Sequence, residues 1–346
     1  MEAATRPRRQ EQEAASAEIT EVAPAVLRLQ LPIELPGLGH VNCYALVDSR
    51  GVALVDPGLP GEESWKALVS RLAAAEIPLA RVHTVVVTHS HPDHFGGAAR
   101  LRAETGAEIV THRAFRLWWN AAEPDGEDPE AAADPTPRRV HRVVRPWDGD
   151  DFQPPDADVS RAIQSFLGTP TPTQRLDDAD VIKLAGRDWV AVHTPGHTPD
   201  HLCLYDPVQG LMLSGDHVLP SITPHISGIG NADDPLAEYF ASLALMGTFE
   251  GVTQALPAHG HPFADLAGRA ADIRQHHEER LDILRAASAD IGRPASVEEL
   301  MQRLFSPRAW GEMAASETYA HLEHLRLSGA AETRRDGDIL LYDVVA

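Results

Sequence analysis

Residues 88–94 have the sequence Thr-His-Ser-His-Pro-Asp-His, and they constrain this chain more than any other segment. They follow directly on a run of β-branched residues that is typical of a strand buried on both faces. Side chains at positions i and i+2 of an extended segment point the same way, so His89 and His91 can bind one cation. Asp93 and His94 would then turn toward a second cation. A polar loop that holds histidines by chance is the alternative, but the density of ligand side chains favours a metal site.

Three later segments can supply the ligands that such a site still lacks, and each follows an apolar run. In Thr-Pro-Gly-His, a tight turn presents His197 to the first cation, and His201 is the less favoured alternative. Asp216 ends a Ser-Gly-Asp motif, and its two carboxylate oxygens are suited to bridging two cations. His259, in Pro-Ala-His-Gly, can complete the second site and is favoured over His261 by its position.

The order of apolar patterns along the chain predicts an α/β fold. Strands are predicted at residues 25–31, 41–47, 52–55, 82–88, 107–111, 181–184, 189–193, 202–205 and 211–214. Helices are predicted at residues 62–75 and 95–105. The two cysteines, Cys43 and Cys203, lie within predicted strands, which indicates buried thiols rather than a disulfide and fits a reducing compartment.

Composition predicts a leader, a large domain with an insertion, and a small second domain. Residues 1–20 begin with a segment rich in Ala, Arg, Glu and Gln, and we expect a disordered leader there. We expect residues 21–266 to form the α/β domain that carries the ligand motifs, interrupted at about 113–175 by an insertion rich in Pro, Asp and Glu. Residues 267–346 turn helical and close with a hairpin, which is the pattern of a winged helix. The helices predicted in this last part span residues 269–287, 297–304 and 317–327.

Four motifs, in this order, resemble those of the metallo-β-lactamase superfamily. They are His-x-His-x-Asp-His at residues 89–94, Thr-Pro-Gly-His ending at His197, Ser-Gly-Asp ending at Asp216, and Pro-x-His-Gly around His259. The match covers about residues 38–262 and includes a Val-Asn-Cys-Tyr opening and a Val-Asp-Pro-Gly turn. The resemblance therefore extends over most of the predicted α/β domain.

The resemblance implies a four-layer αβ/βα sandwich with two metals at one edge. It implies that three residues bind one metal, three bind the other and one bridges them: His89, His91 and His197; Asp93, His94 and His259; and Asp216. Asp56 would contact a ligand rather than a metal. Within the superfamily the chain is most similar to the β-lactamase-like protein 2 group, which also carries a winged-helix-like C-terminal domain. The insertion is a departure from that group, and insertions near a site decide what binds there.

A dinuclear site predicts a metal-dependent hydrolase. Two divalent ions, most simply Zn²⁺ with Mn²⁺ or Fe as alternatives, would lower the pKa of a bridging water so that hydroxide exists at neutral pH. Asp93 would orient that hydroxide and accept its proton, and Asp216 would bridge the ions. We favour a small-molecule acyl thioester or ester as the substrate. Endoribonuclease, lactonase and β-lactamase activities stay open, as does a non-catalytic module that binds nucleic acid.

Charge and hydropathy restrict the partners. The formal charge of −21 repels polyanions, which makes nucleic acid an unfavoured partner. The first residues lack the apolar stretch of a signal peptide, and no later run reaches the roughly 18 apolar residues of a membrane span. We therefore expect a cytoplasmic protein that does not enter a membrane, and association as a homodimer is left open.

The insertion and the loop at residues 220–234 are expected to cover the metal edge and to select the substrate. Aromatic residues are concentrated in the insertion and can wall an apolar pocket: Phe115, Trp118, Trp119, Trp147 and Phe152. Ordinary packing on an inserted helix is the equal alternative for the adjacent tryptophans.

Further histidines lie outside the four motifs. His112, His217 and His225 can approach the metal edge from loops, although isolated histidines are more often structural or exposed. His276 and His277 fall in the middle of a predicted helix, and we expect both on its surface.

Overall fold

The computed structural model describes residues 9–117, 145–148, 168–229 and 232–345. Strands in these ranges are β1 (Ile19–Ala23), β2 (Val26–Leu35), β3 (Leu38–Asp48), β4 (Gly51–Val55), β5 (Val82–Val86), β6 (Glu108–His112), β7 (Gln174–Leu176), β8 (Val181–Leu184), β9 (Arg187–His193), β10 (Leu202–Asp206), β11 (Leu211–Gly215), β12 (Gln254–Pro257), β13 (Ala295–Ser296), β14 (Ala331–Asp336) and β15 (Ile339–Val344). Helices in these ranges are α1 (Glu62–Ala74), α2 (Pro92–Phe95), α3 (Ala98–Thr105), α4 (Pro235–Met246), α5 (Leu266–Ile291), α6 (Val297–Leu304) and α7 (Glu312–Leu327).

Two sheets form the centre of the molecule. The larger sheet has seven strands in chain order from β1 to β7, and the smaller has five in the order β12-β11-β10-β9-β8. Strands β4 to β7 run parallel to one another, as do β11 and β12. Segments that leave the carboxyl ends of parallel strands emerge at one edge of a sheet. The segments after β5, β11 and β12 carry the histidine-rich motif, Asp216 and His259, respectively.

Three hydrophobic clusters separate four layers. The outer face of the larger sheet packs on α1 and α3 through residues such as Leu68 and Leu101. The inner faces of the two sheets meet in a cluster that contains Trp189. The outer face of the smaller sheet packs on α4 and α5, where Met212 contacts a cluster that includes Tyr239. The predicted αβ/βα sandwich is confirmed, and Cys43 and Cys203 are buried free thiols as expected.

The helix predicted at residues 95–105 is confirmed only from Ala98, where α3 begins. Phe95 ends a separate short helix, α2, and Gly96 and Gly97 join the two helices. A β-carbon on Gly96 would lie 2.1 Å from the backbone N of Pro60, and one on Gly97 would lie 2.5 Å from the carbonyl O of Pro57. Only glycine allows such a close approach of two backbones. The break places the side chains of Asp93 and His94 on a separate short helix.

The predicted disordered leader is wrong for residues 9–20. Strand β1 pairs with β2, and residues 10–12 form a 3-10 helix. The side chain of Glu11 is fully buried, and its carboxylate accepts hydrogen bonds from the backbone N of Ser221 at 2.8 Å and of Ile222 at 3.1 Å. These backbone amides offset the cost of burying the Glu11 carboxylate, so the segment can be ordered although its composition is polar. Composition alone does not reveal such distant donors.

The C-terminal elements α5, α6 and α7 precede a hairpin of β14 and β15, and the short β13 pairs with β15. A capping box between Ser296 and Glu299 starts α6 at the predicted residue. The apolar residues of these helices belong to the same cluster as the outer face of the smaller sheet. The surface position expected for His277 is wrong. It is fully buried because it shares a face of α5 with Ile273, Leu281 and Leu284.

Two aromatic residues of the insertion, Phe115 and Trp147, belong to hydrophobic clusters of the core. The ring of Phe115 meets that of Phe95 edge-on, with centroids 6.5 Å apart. Trp147 is buried with its ring 5.0 Å from that of Tyr319, and its carbonyl accepts a hydrogen bond from Leu340 N at 2.8 Å. The expected pocket-wall role is therefore wrong for both residues, since their rings are used in packing. Trp118, Trp119 and Phe152 lie outside the described residues.

Among the described residues, no helix combines the length and the apolar character needed to cross a membrane.

Candidate metal centre

The first ligand group lies where β5 and β9 end. His89 Nε2 is 2.9 Å from His91 Nδ1, and His197 Nε2 is 3.1 Å from the same atom. His197 follows Gly196, which has a φ of 131° and whose β-carbon would lie 2.5 Å from the Cα of Tyr239. The glycine therefore lets the turn approach α4 and directs His197 toward the end of β5.

The second ligand group combines α2 with the segment after β12. Asp93 Oδ2 lies 3.4 Å from His259 Nε2 and 3.5 Å from His94 Nε2. One ligand atom from each of these three residues lies within 4.8 Å of the others, and all three side chains are buried. The structure places His259, the candidate that the sequence favours, in this group. His261 instead contacts Glu13 at 2.9 Å on the protein surface.

Asp216, which follows β11, lies between the two groups. Its Oδ2 is 3.6 Å from both His197 Nε2 and His94 Nε2, and its Oδ1 is 3.3 Å from His259 Nε2. One carboxylate therefore faces ligand atoms of both groups. The structure brings together all seven side chains that the sequence predicts as ligands.

Hydrogen bonds on the far side of three rings orient their Nε2 atoms toward this shared space. His94 Nδ1 is 2.9 Å from Asp56 Oδ2, His259 Nδ1 donates to the carbonyl of His40 at 2.6 Å, and His197 Nδ1 donates to the carbonyl of His225 at 2.7 Å. Such contacts are typical of metal-binding histidines, because they fix the ring orientation and leave the other nitrogen for the ion.

The donor set fits divalent cations. His94 Nε2, His259 Nε2 and Asp216 Oδ1 are buried and have no hydrogen-bond partner among the described residues. Buried polar atoms are rarely left unpaired, and imidazole and carboxylate are ordinary zinc ligands. The arrangement is therefore that of a site built for metal.

Asp56 lies in the turn after β4, with a positive φ of 56°. Besides His94, it accepts hydrogen bonds from Thr88 N at 2.9 Å and Thr88 Oγ1 at 2.8 Å. Asp56 thus connects the end of β5 to a ligand of the second group, as the sequence resemblance implies.

His201 has both ring nitrogens engaged within the protein. Its Nδ1 is 2.8 Å from Thr194 Oγ1, and its Nε2 accepts a hydrogen bond from the backbone N of Asp216 at 3.0 Å. Its ring therefore supports the Asp216 backbone. This role is not visible in the sequence, because the hydrogen bond between His201 and the Asp216 backbone depends on how β10 and β11 align.

Of the three other isolated histidines, His112, His217 and His225, the first two are buried. His112 stacks on His193 with ring centroids 3.8 Å apart, and His217 is buried 5.8 Å from the ring of His201. Only His225 among those three contacts a proposed ligand, through its carbonyl.

The two ligand groups differ in the pKa values of their histidines. Burial and neighbouring imidazoles lower the pKa of His91 to about 3 and hold that of His89 well below its usual value. Burial also lowers the pKa of His94 and His259, but adjacent carboxylates outweigh it. Asp93, Asp216 and Asp56 raise the pKa of His94 well above its usual value, and Asp216 with Asp93 raises that of His259 to about 10.

A third buried cluster, which the sequence analysis did not identify, lies between α5 and α7. His277 Nδ1 donates to His321 Nε2 at 3.0 Å, and His321 Nδ1 donates to the carbonyl of Glu317 at 2.7 Å. The carboxylate of Glu317 is paired with the guanidinium of Arg280. Because a cation already occupies this carboxylate, the cluster is a hydrogen-bonded network rather than a third metal site.

Comparisons with known proteins agree with this architecture. The protein-family model described as "Metallo-beta-lactamase superfamily" matches residues 36–259 of this chain. The probable metallo-hydrolase YqjP of Bacillus subtilis (strain 168) is 26% identical over 332 residues, which cover 92% of this chain and 97% of that protein. The atrochrysone carboxyl ACP thioesterase AgnL7 of Paecilomyces divaricatus is 26% identical over 200 residues, covering 55% of this chain and 59% of that protein.

Among solved structures, a beta-lactamase domain protein from Burkholderia ambifaria superposes with a TM-score of 0.77 at 28% identity, covering 96% of each chain. The similarity thus includes the C-terminal elements. On the fold, the buried His and Asp groups and the matched family model, this chain belongs to the metallo-β-lactamase superfamily and is a metal-dependent hydrolase.

Proposed function

We propose that the protein is a dinuclear hydrolase that cleaves an acyl thioester or ester. The observation that carries the proposal is the position of Asp216, whose two oxygens face ligand nitrogens of both groups at 3.3 to 3.6 Å. A carboxylate in that position is suited to two cations rather than one. We propose Zn²⁺ as the cation because the set is rich in imidazole, with Mn²⁺ or Fe as alternatives.

In this proposal the ligands divide as the geometry groups them. The first ion would be held by His89, His91 and His197 and the second by Asp93, His94 and His259, and Asp216 would be shared between them. The bound cations would supply a low pKa for water and polarisation of the substrate carbonyl.

Asp93 has a second role in the proposal. Its carboxylate is oriented by His94 and His259 toward the space that Asp216 also faces. A carboxylate at this position can orient the attacking water and accept its proton, which makes Asp93 the proposed general base. Asp56 and His201 contact the ligand set from behind and would keep it aligned.

The acyl substrate is supported by two further observations. A similar protein carries the name of an ACP thioesterase, so this fold accommodates thioester hydrolysis in that protein. The net charge of −21 disfavours a phosphodiester polymer as the substrate. We also propose that residues 267–346 form a winged-helix-like unit, since three helices followed by a hairpin fit that pattern.

A substrate panel tests the proposed function. Purified protein of known metal content would be assayed on an acyl thioester, the oxygen ester of the same acid, a lactone, a chromogenic β-lactam and single-stranded RNA. We expect cleavage of the thioester or ester, loss of that cleavage on chelation, and recovery on adding Zn²⁺.

Asp93→Ala should abolish the activity, whereas His261→Ala, on the surface next to the motif, should leave it unchanged. Cleavage of RNA alone would replace the proposed substrate class, and acyl hydrolysis that survives chelation would contradict the metal mechanism.

A further inference from the structure

The segment after β11 makes a direct contact with a ligand of the first group. We call residues 220–229 the metal-edge loop. Within it, the carbonyl oxygen of His225 accepts the hydrogen bond from His197 Nδ1 at 2.7 Å. The orientation of the His197 ring therefore depends on where this loop holds one carbonyl group.

The metal-edge loop is packed against α7. Ser227 Oγ is 3.0 Å from Ser316 Oγ, and Gly228 N donates to the carbonyl of Ser316 at 3.2 Å. A β-carbon on Gly228 would lie 2.5 Å from Cδ1 of Tyr319, so the loop and the helix are in close contact. The C-terminal helix thus forms a wall on which this part of the loop rests.

One residue of α7 contacts His225 itself. Glu317 Oε2 is 3.4 Å from His225 Nδ1, and the other carboxylate oxygen is paired with Arg280 of α5. The Glu317 side chain is only 11% exposed, and the contacts with His225 and Arg280 keep its pKa at about 2 despite burial. The carboxylate is therefore charged and has fixed partners on two sides.

The same loop is bound on its other flank. The guanidinium of Arg269 donates to the carbonyls of Leu219 at 2.8 Å and Ile222 at 2.7 Å, and the carboxylate of Glu11 binds the Ser221 and Ile222 amides. Those contacts fix the start of the loop. His225, three residues farther along, is oriented by Glu317.

We propose that Glu317 is a positioning residue for the metal centre. Through His225 it places the carbonyl that orients His197, so the C-terminal helix α7 sets the metal affinity of the first ligand group. The proposal rests on the proposed function, because it requires that His197 binds a metal. It gives the C-terminal elements a role in the site beyond the burial of apolar surface.

The test is a competition titration of Zn²⁺ against a chromophoric chelator, with metal-free protein. Glu317→Gln keeps the shape of the side chain and removes its charge, and His225→Ala removes the tethered ring while keeping the backbone carbonyl. We expect each variant to weaken one of the two zinc sites by about tenfold, the lower end of the range for such supporting partners, and to leave the other unchanged.

Glu323→Gln is the matched control. Glu323 lies on the same helix and is likewise paired, with Arg326 at 2.7 Å and with the Tyr342 hydroxyl at 2.5 Å, but faces the hairpin. Its replacement should lower the thermal stability of the metal-free protein as Glu317→Gln does, and should leave both zinc affinities at the wild-type value. If the two variants weakened zinc binding equally, the effect would be general destabilisation and the proposal would be wrong.

A double-mutant cycle locates the effect. In a His259→Ala background, where the second group is incomplete, Glu317→Gln should still weaken the remaining zinc site about tenfold. In a His197→Ala background it should have no effect, because the ring that it positions is gone. Equal effects in both backgrounds would overturn the proposal.

If the wild-type protein binds two zinc ions and both Glu317→Gln and His225→Ala bind them equally tightly, this inference alone is overturned. Wild-type protein that binds no zinc would overturn the proposed function with it. Should Glu317→Gln fail to fold, His225→Ala carries the test, since it leaves the pair between Glu317 and Arg280 intact.

Discussion

The two ligand groups of the candidate metal centre differ in the direction in which the pKa values of their histidines are shifted. The group of His89, His91 and His197 contains imidazoles whose pKa values are lowered by burial, so they are neutral at pH 7. In the other group, carboxylates raise the pKa values of His94 and His259, so these rings are protonated at pH 7 in metal-free protein. A cation would therefore bind the first group without displacing protons from its imidazoles, whereas binding to the second group would displace protons.

The largest effect is expected from removing the residue that both groups share. Asp216→Ala deletes oxygens that face His197, His94 and His259, so both groups should lose affinity for metal. We expect hydrolytic activity to fall by more than about 100-fold, since supporting partners alone already account for 10 to 100-fold. Metal content and activity would be measured on the same preparation.

His201→Ala is the comparison variant, since His201 contacts Asp216 through the backbone N of that residue. It should retain both metals and lose less activity than Asp216→Ala. A variant of Asp216 with two tightly bound metals would show that the groups are independent, and metal loss in His201→Ala but not in His197→Ala would show that the wrong histidine has been assigned.

The second prediction concerns the number of protons released when zinc binds to each ligand group. At pH 7, below the raised pKa values, binding to the second group should release about two protons, and binding to the first should release none from its imidazoles. The apparent affinity of the second group should therefore rise steeply between pH 7 and about 10, the pKa of His259, while that of the first group stays level. Calorimetric zinc titrations in two buffers of different ionisation enthalpy would count the protons. Equal numbers for the two binding events would remove the distinction between the groups.

A smaller effect is expected at Asp56, whose direct contact with a ligand is with His94 of the second group. Asp56→Asn replaces the carboxylate that contacts His94 Nδ1 at 2.9 Å, and we expect about tenfold weaker binding at that group alone. Asp48→Asn, at the end of β3 where Asp48 pairs with the exposed Arg50, is the control and should change neither affinity. Weakening of the first group by Asp56→Asn would mean that the contacts of Thr88 with His89 couple the two groups.

The grouping of these seven side chains could be predicted because the motifs that carry them are local in the sequence. His89, His91, Asp93 and His94 are adjacent in sequence, and an apolar run before Asp216 marks the end of a strand. The fold class followed from the same alternation of strands and helices. These signals are short-range, so one sequence contains them.

The features that were missed depend on partners far away in the chain. Glu11 is buried because amides 210 and 211 residues later bind it, and Trp147 is buried against Tyr319. The spacing of His277 from Ile273 and Leu281 indicates its buried position. The expectation of an exposed histidine did not take that spacing into account.

The metal content of the protein tests the account most directly. Elemental analysis of protein purified without chelator, followed by zinc titration of the metal-free form, should give two ions per chain, bound in two steps with different proton release. A metal content near zero, with no binding on adding Zn²⁺ or Mn²⁺, would contradict the central claim that these seven side chains form a dinuclear centre.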